Sequence, residues 1–175
     1  LFVGEFSFSP IKPVHWQRRI LFVDRAYWFL QDVLTGDQER AQVEQNFQFE
    51  ADIQIELQDE LTMATAPDGA RLVLVPLSGG LSPLLTIGDR EPHTTYWPNG
   101  NAPTTVIARE DNNDQIHGRG WTGRGGHKLL PAPAVTYVGS VSIPSGLTVA
   151  IVPLGPGQEL SDLPEIKSTA QAEKT

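Results

Sequence analysis

The residues with the most chemical potential lie in one glycine-rich stretch, His117-Gly118-Arg119-Gly120-Trp121-Thr122-Gly123-Arg124-Gly125-Gly126-His127-Lys128. It gathers three full positive charges, two imidazoles and an indole. Glycine lets backbone N–H groups and long cationic side chains come close to a ligand, and an indole offers a flat apolar platform on which a sugar ring stacks. Arg119, Trp121, Arg124 and Lys128 would therefore suit a carboxylated or sulfated saccharide. The same residues also read as an ordinary solvated loop, with Arg119, Arg124 and Lys128 facing Glu110, Asp111 and Asp114 just upstream. Tyr96-Trp97, ahead of the turn Pro98-Asn99-Gly100, is either a second stacking platform or a pair of rings capping a sheet edge. His15 joins the candidates from a second basic stretch, Lys12-Pro13-Val14-His15-Trp16-Gln17-Arg18-Arg19.

Asp32 sits inside the apolar run Tyr27-Trp28-Phe29-Leu30-Gln31-Asp32-Val33-Leu34. A buried ionised carboxylate is costly unless paired, so an inward Asp32 needs a cation, and Arg18 or Arg19 on the preceding strand can supply it. Such an ion pair is structural, because nothing else in the strand provides an acid–base partner. No catalytic residue is assigned. The four histidines, His15, His93, His117 and His127, share no helical or strand ligand spacing, so no metal site and no cofactor are expected. The chain has no Gly-x-Ser-x-Gly elbow, no phosphate-binding P-loop and no dinucleotide fingerprint.

Twenty-one acidic residues against 13 basic ones give a net charge of −8, which argues against nucleic acid or an anionic membrane surface as partner. No apolar run approaches the roughly 20 residues of a membrane span. Cysteine is absent, which removes disulfides and thiolate chemistry and leaves the redox compartment open. A chain of 175 residues with 39% apolar content makes one domain with a real core. The sole methionine is Met63 and the opening Leu1-Phe2-Val3 reads as strand, so a longer precursor is expected.

What must position these groups is β-structure. Turn signals recur at Gly36-Asp37, Pro67-Asp68-Gly69, Gly88-Asp89, Pro144-Ser145-Gly146 and Gly155-Pro156-Gly157, with short β-branched and aromatic runs between them. The clearest strands span 20–24, 27–34, 43–49, 53–57, 71–77, 104–109, 135–143 and 147–154. Ile53-Gln54-Ile55-Glu56-Leu57 and Phe47-Gln48-Phe49 alternate, predicting one buried and one wet face. Arg71-Leu72-Val73-Leu74-Val75 is apolar on both sides and belongs inside a sheet. This many short antiparallel strands predicts an all-β sandwich of two packed sheets over 1–157 with little helix. Residues 36–46 are the one internal stretch that also suits a helix, and 158–175 form an acidic tail expected to fray.

Two segments resemble the β-region of heparinase II/III-like polysaccharide lyases. The first runs through Val14-His15-Trp16-Gln17-Arg18-Arg19, Trp28, Asp32, Gly36 and Phe47-Gln48-Phe49; the second is Gly120-Trp121-Thr122-Gly123-Arg124-Gly125-Gly126-His127-Lys128-Leu129-Leu130-Pro131-Ala132-Pro133. The resemblance implies a C-terminal β-domain of a lyase that cleaves uronate-containing polysaccharides, of heparan sulfate or alginate type, by β-elimination. It further implies an acidic polysaccharide as partner, an upstream helical toroid and β-domain in the same precursor, and a periplasmic or secreted location. The family's catalytic and zinc-binding positions lie upstream of this chain, which implies that the chain alone is inactive. A free-standing carbohydrate-binding module and a purely structural docking domain are the alternatives.

Overall fold

The computed structural model describes residues 2–8, 14–78, 80–88, 93–95, 104–106, 119–123, 129–159 and 161. Its strands are β1 (Phe2–Phe8), β2 (Val14–Val23), β3 (Tyr27–Gly36), β4 (Arg40–Gln48), β5 (Gln54–Gln58), β6 (Leu61–Thr65), β7 (Arg71–Pro76) and β8 (Ser82–Ile87), followed by β9 (His93–Thr95), β10 (Thr104–Val106), β11 (Trp121–Gly123), β12 (Leu129–Pro131), β13 (Pro133–Ser142) and β14 (Ser145–Leu154). A seven-stranded sheet in the order β1-β2-β3-β14-β7-β6-β5 faces a three-stranded sheet, β4-β13-β8, and β9/β10 and β11/β12 form two ribbons. The fold is the all-β sandwich expected from the sequence. The chain crosses between the layers from β3 to β4, from β4 to β5, from β7 to β8 and from β13 to β14.

Residues 40–48 form a strand because their pattern has period two. Ala41, Val43, Gln45 and Phe47 are more buried than Arg40, Gln42, Glu44, Asn46 and Gln48, so the possible helix over 36–46 is replaced by the layer crossing and a β-strand. The sequence reading passed over β6 and β8. β6 carries no Val or Ile, and it is held by pairing with β5 and β7 on either side. β8 contains Pro83, which is tolerated because this strand lies at the edge of its sheet.

Between the layers lies a core of Leu34, Leu74, Leu81, Val135, Tyr137, Val141, Leu147 and Val149. Each such side chain, once fully buried, contributes about 1.5–3 kcal/mol through removal from water. The alternate positions of β7 and β14 build a second cluster on the other face of the large sheet, with Val73, Ala150, Val152 and Leu154 packed by Tyr27, Phe29 and Met63. β7 lies between β14 and β6, matching its two-sided apolar pattern.

A polar link crosses the apolar core between β13 and β6. The Tyr137 hydroxyl of β13 lies 2.8 Å from Thr62 Oγ1 of β6 and donates to the Glu60 carbonyl at 3.2 Å. Burial raises the Tyr137 pKa, the Thr62 hydrogen bond opposes this, and the nearby Glu60 charge adds to it. A hydroxyl whose folded pKa lies above its unfolded value stabilises the fold fully below about pH 10 and loses that contribution as pH rises through the folded pKa. Tyr137→Phe is expected to cost about 1–3 kcal/mol at neutral pH by stranding Thr62. It should also flatten the alkaline fall in stability, both effects being read by urea denaturation across pH.

Candidate functional site

Three groups of candidate residues occupy different parts of the sandwich. The first is the segment leading into β11. Gly120 has φ +80°, and a Cβ there would lie 2.7 Å from Gly88 N and 2.8 Å from Thr86 O. Glycine is needed at this position for both reasons. Its carbonyl accepts hydrogen bonds from Gly88 N at 2.8 Å and Ala132 N at 2.7 Å, fixing the base of the ribbon. Trp121 pairs with Pro131 across the ribbon, and its half-buried ring lies 3.5 Å from where a Cβ on Gly88 would stand.

Arg119 forms an ion pair with Glu44 on β4, and Thr122 Oγ1 donates to Glu50 Oε2 at 3.4 Å. The described partner of Arg119 is thus an acid on the small sheet, not one of Glu110, Asp111 or Asp114. Those three acids, together with Arg124, Lys128, Tyr96 and Trp97, lie outside the described residues. The structure brings Arg119 and Trp121 together on one ribbon and places His15 elsewhere.

The second group joins the two layers. β2 and β3 pair with Arg18 opposite Asp32. Arg18 Nε donates to Asp32 Oδ1 and Arg18 Nη2 to Asp32 Oδ2, both at 2.7 Å. Gln45, facing them from β4, donates Nε2 to Asp32 Oδ2 at 2.8 Å. The Arg18 guanidinium also lies 4.8 Å from the centre of the Trp16 ring, within cation–π range. Asp32 is 2% exposed and Gln45 1%, while the Arg18 side chain keeps 29% exposure, so the carboxylate end of the network is shielded from water and its ionic hydrogen bonds are strong.

Arg19, offered with Arg18 as a partner for Asp32, does not share this role. It is one residue along the strand and faces the opposite side, where its Nε donates to Gln17 Oε1 at 2.6 Å. His15 has the same outward parity, and its register partner is Thr35. Gln45 was missed in the sequence. The available signal was a polar residue at an inward position between Val43 and Phe47.

The third feature is a cavity of about 380 Å³ at the seam of β2, β3 and β4, lined by Val14, Trp16, Leu34, Ala41 and Val43 with Asp32, Gln38, Arg40, Gln42 and Glu44. Among the described residues, no three His, Asp or Glu side chains gather to hold a metal ion, and no helix is long and apolar enough to cross a membrane.

No protein-family model matches the sequence, and no curated protein is significantly similar to it. Solved structures do match. Heparan sulfate lyase HepC from Pedobacter heparinus aligns over 90% of this chain and 22% of its own, with a TM-score of 0.57 and 13% identity. A mutant of the same lyase gives 0.55 and 16%, again over 90% of this chain. A heparinase III gene product aligns over 82% of this chain and 18% of its own, with a TM-score of 0.51 and 16% identity. This chain has the fold of one part of the heparan sulfate lyases. It spans about a fifth of the length of the lyase structures it matches.

The geometry ranks the ion pairs. Removing the cation in Arg18→Ala leaves a buried carboxylate uncompensated and is expected to cost about 3–5 kcal/mol. Arg119→Ala breaks an exposed pair and should cost less than about 1 kcal/mol. Chemical denaturation of the two variants beside the unaltered chain reads the difference; equal losses would contradict the ranking. Gly120→Ala, strained in φ and crowded by backbone atoms, should lower stability by about 1 kcal/mol or more in the same assay.

Proposed function

We propose that this chain is the C-terminal β-sandwich region of a polysaccharide lyase that cleaves uronate-containing polysaccharides, of heparan sulfate or alginate type, by β-elimination. In that reaction a neutralised carboxylate acidifies the neighbouring carbon, a base removes its proton, and an acid protonates the departing glycosidic oxygen. This chain's part is to support the catalytic region, which belongs to an upstream helical toroid and β-domain of the same precursor. Trp121 and Arg119, with Arg124 and Lys128, are its candidates for touching sugar, and the precursor acts in the periplasm or outside the cell.

The fold likeness over most of the chain to lyases about five times its matched length carries this reading. An exposed apolar corner favours the docked form over a free-standing carbohydrate-binding module. Phe2 is 64% and Phe22 48% exposed on one face of the β1–β2 corner, and Val3 and Leu21 are each 44% exposed on the other. Phe22 stacks on Trp28 with ring centres 4.7 Å apart, extending the apolar surface onto β3. Rings grouped in this way mark an interaction surface.

Incubation of the precursor with heparan sulfate, alginate and a neutral glucan tests the reading by the ultraviolet absorbance of unsaturated uronate. The precursor should generate it from at least one acidic polymer and none from the glucan, and this chain alone should generate none. Product from the chain by itself, or a precursor that acts on the glucan alone, would contradict the proposal.

A further inference from the structure

We infer that the β1–β2 corner and the β2–β3 turn at its tip form a self-association surface, whose occupant is the same corner of a second copy of this chain. The lyase reading asks only that the corner be covered. What covers it follows from the corner's own residues, so the inference goes beyond that reading and does not rest on it.

The turn adopts a strained form. Asp24 and Arg25 join β2 to β3 with φ of +48° and +58°, and Ala26 N donates to the Val23 carbonyl at 2.9 Å. Two successive residues at positive φ match the twist of a hairpin, and Asn-Gly is the pair that enters this turn most readily. Aspartate tolerates it, whereas arginine brings its Cβ too close to the following carbonyl oxygen. Both side chains are exposed, so core packing does not require an arginine where glycine would be relaxed. Strain retained at the surface points to use of the side chain there.

Behind the tip lies an apolar face. Phe2 is registered opposite Ile20 and Phe22 opposite Trp28, which puts Phe2, Phe22 and Trp28 on one side of the large sheet. Farther along, this same side carries Leu34 and Leu147 under the small sheet. At the corner it is open, with Phe2 and Phe22 exposed.

Symmetry selects the occupant. A patch that meets its own copy about a two-fold axis must be complementary to itself. Here the stacked rings meet rings, and neighbouring charges of opposite sign exchange, each copy's Asp24 facing the other's Arg25. An unlike partner would be steered by a tip of one sign, and this tip carries both. Because each chain has a net charge of −8 and the corner is small, the pair is weak, with a Kd on the order of 10–100 μM.

Sedimentation of the full chain at concentrations up to about 500 μM tests the surface. The chain should pass from monomer to dimer across the range, and Phe22→Ser should weaken the dimer at least about tenfold. Asp24→Arg and Arg25→Asp should each weaken it by a similar factor, while an equal mixture of those two variants should pair again, because each then supplies the charge the other lacks. A joint Asp24→Asn and Arg25→Gly change relaxes the turn: it should raise the melting temperature by about 2–4 °C yet weaken the dimer at least about tenfold. A turn with a purely structural role would gain the stability with association unchanged. A chain monomeric throughout assigns the corner to another part of the precursor and overturns the inference, as do a mixture that stays monomeric or a dimer unaltered by Phe22→Ser or by the relaxed turn. None of these readings involves cleavage, so failure here leaves the lyase reading standing, and a lyase assay that fails leaves the dimer standing.

Discussion

The Asp32 carboxylate is the constraint around which the sandwich is arranged. An ionised oxygen pair 2% exposed to solvent must be met on every side, and it is met from two different layers. Arg18 reaches it along the large sheet from β2, and Gln45 reaches it across the interlayer space from β4. A one-residue slip of β2 against β3 would carry Arg18 to the outer face and leave the charge bare. The same slip would expose Trp16 and Ile20 while burying His15 and Arg19. The register of the β2–β3 hairpin and the placement of β4, an edge strand of the small sheet, thus follow from a single buried charge. The sites of interest inherit their positions from it, because the cavity has Asp32 in its wall and Arg119 is tied to the same β4.

The unequal sheets explain where the surface chemistry falls. Three strands cannot cover seven, and the β1–β2 corner reaches past the small layer with Phe2 and Phe22 exposed. The middle of the large sheet, by contrast, is apolar on both faces, through Leu72 and Leu74 on one side and Val73 and Val75 on the other. The interlayer core fixes the architecture and leaves that corner open.

Period-two alternation made β5 and the end of β4 readable as strands, although Leu57, expected on the buried face of β5, is 36% exposed, and the unbroken apolar run made β7 readable as an inner one. The need of Asp32 for a cation was equally legible, since it follows from burial alone. Which arginine answers it was not, because Arg18 and Arg19 differ only in parity and parity depends on register. Gln45 escaped notice because periodicity marks a position as inward without naming what it meets across the core. β6 and β8 escaped because neither carries a run of Val, Ile or aromatic residues, and their strand character comes from pairing with neighbours. In the glycine-rich stretch, residue types suggested a ligand but could not reveal that Arg119 reaches Glu44, 75 positions away.

The interlayer bridge can be measured directly with a double-mutant cycle on Asp32→Asn and Gln45→Ala, read as unfolding free energies from urea denaturation. If the two groups clasp the layers together, the double variant should be more stable than the sum of the single losses predicts, with a coupling of about 1–3 kcal/mol. Losses that add to within about 0.5 kcal/mol would contradict the account, since residues that do not touch behave independently.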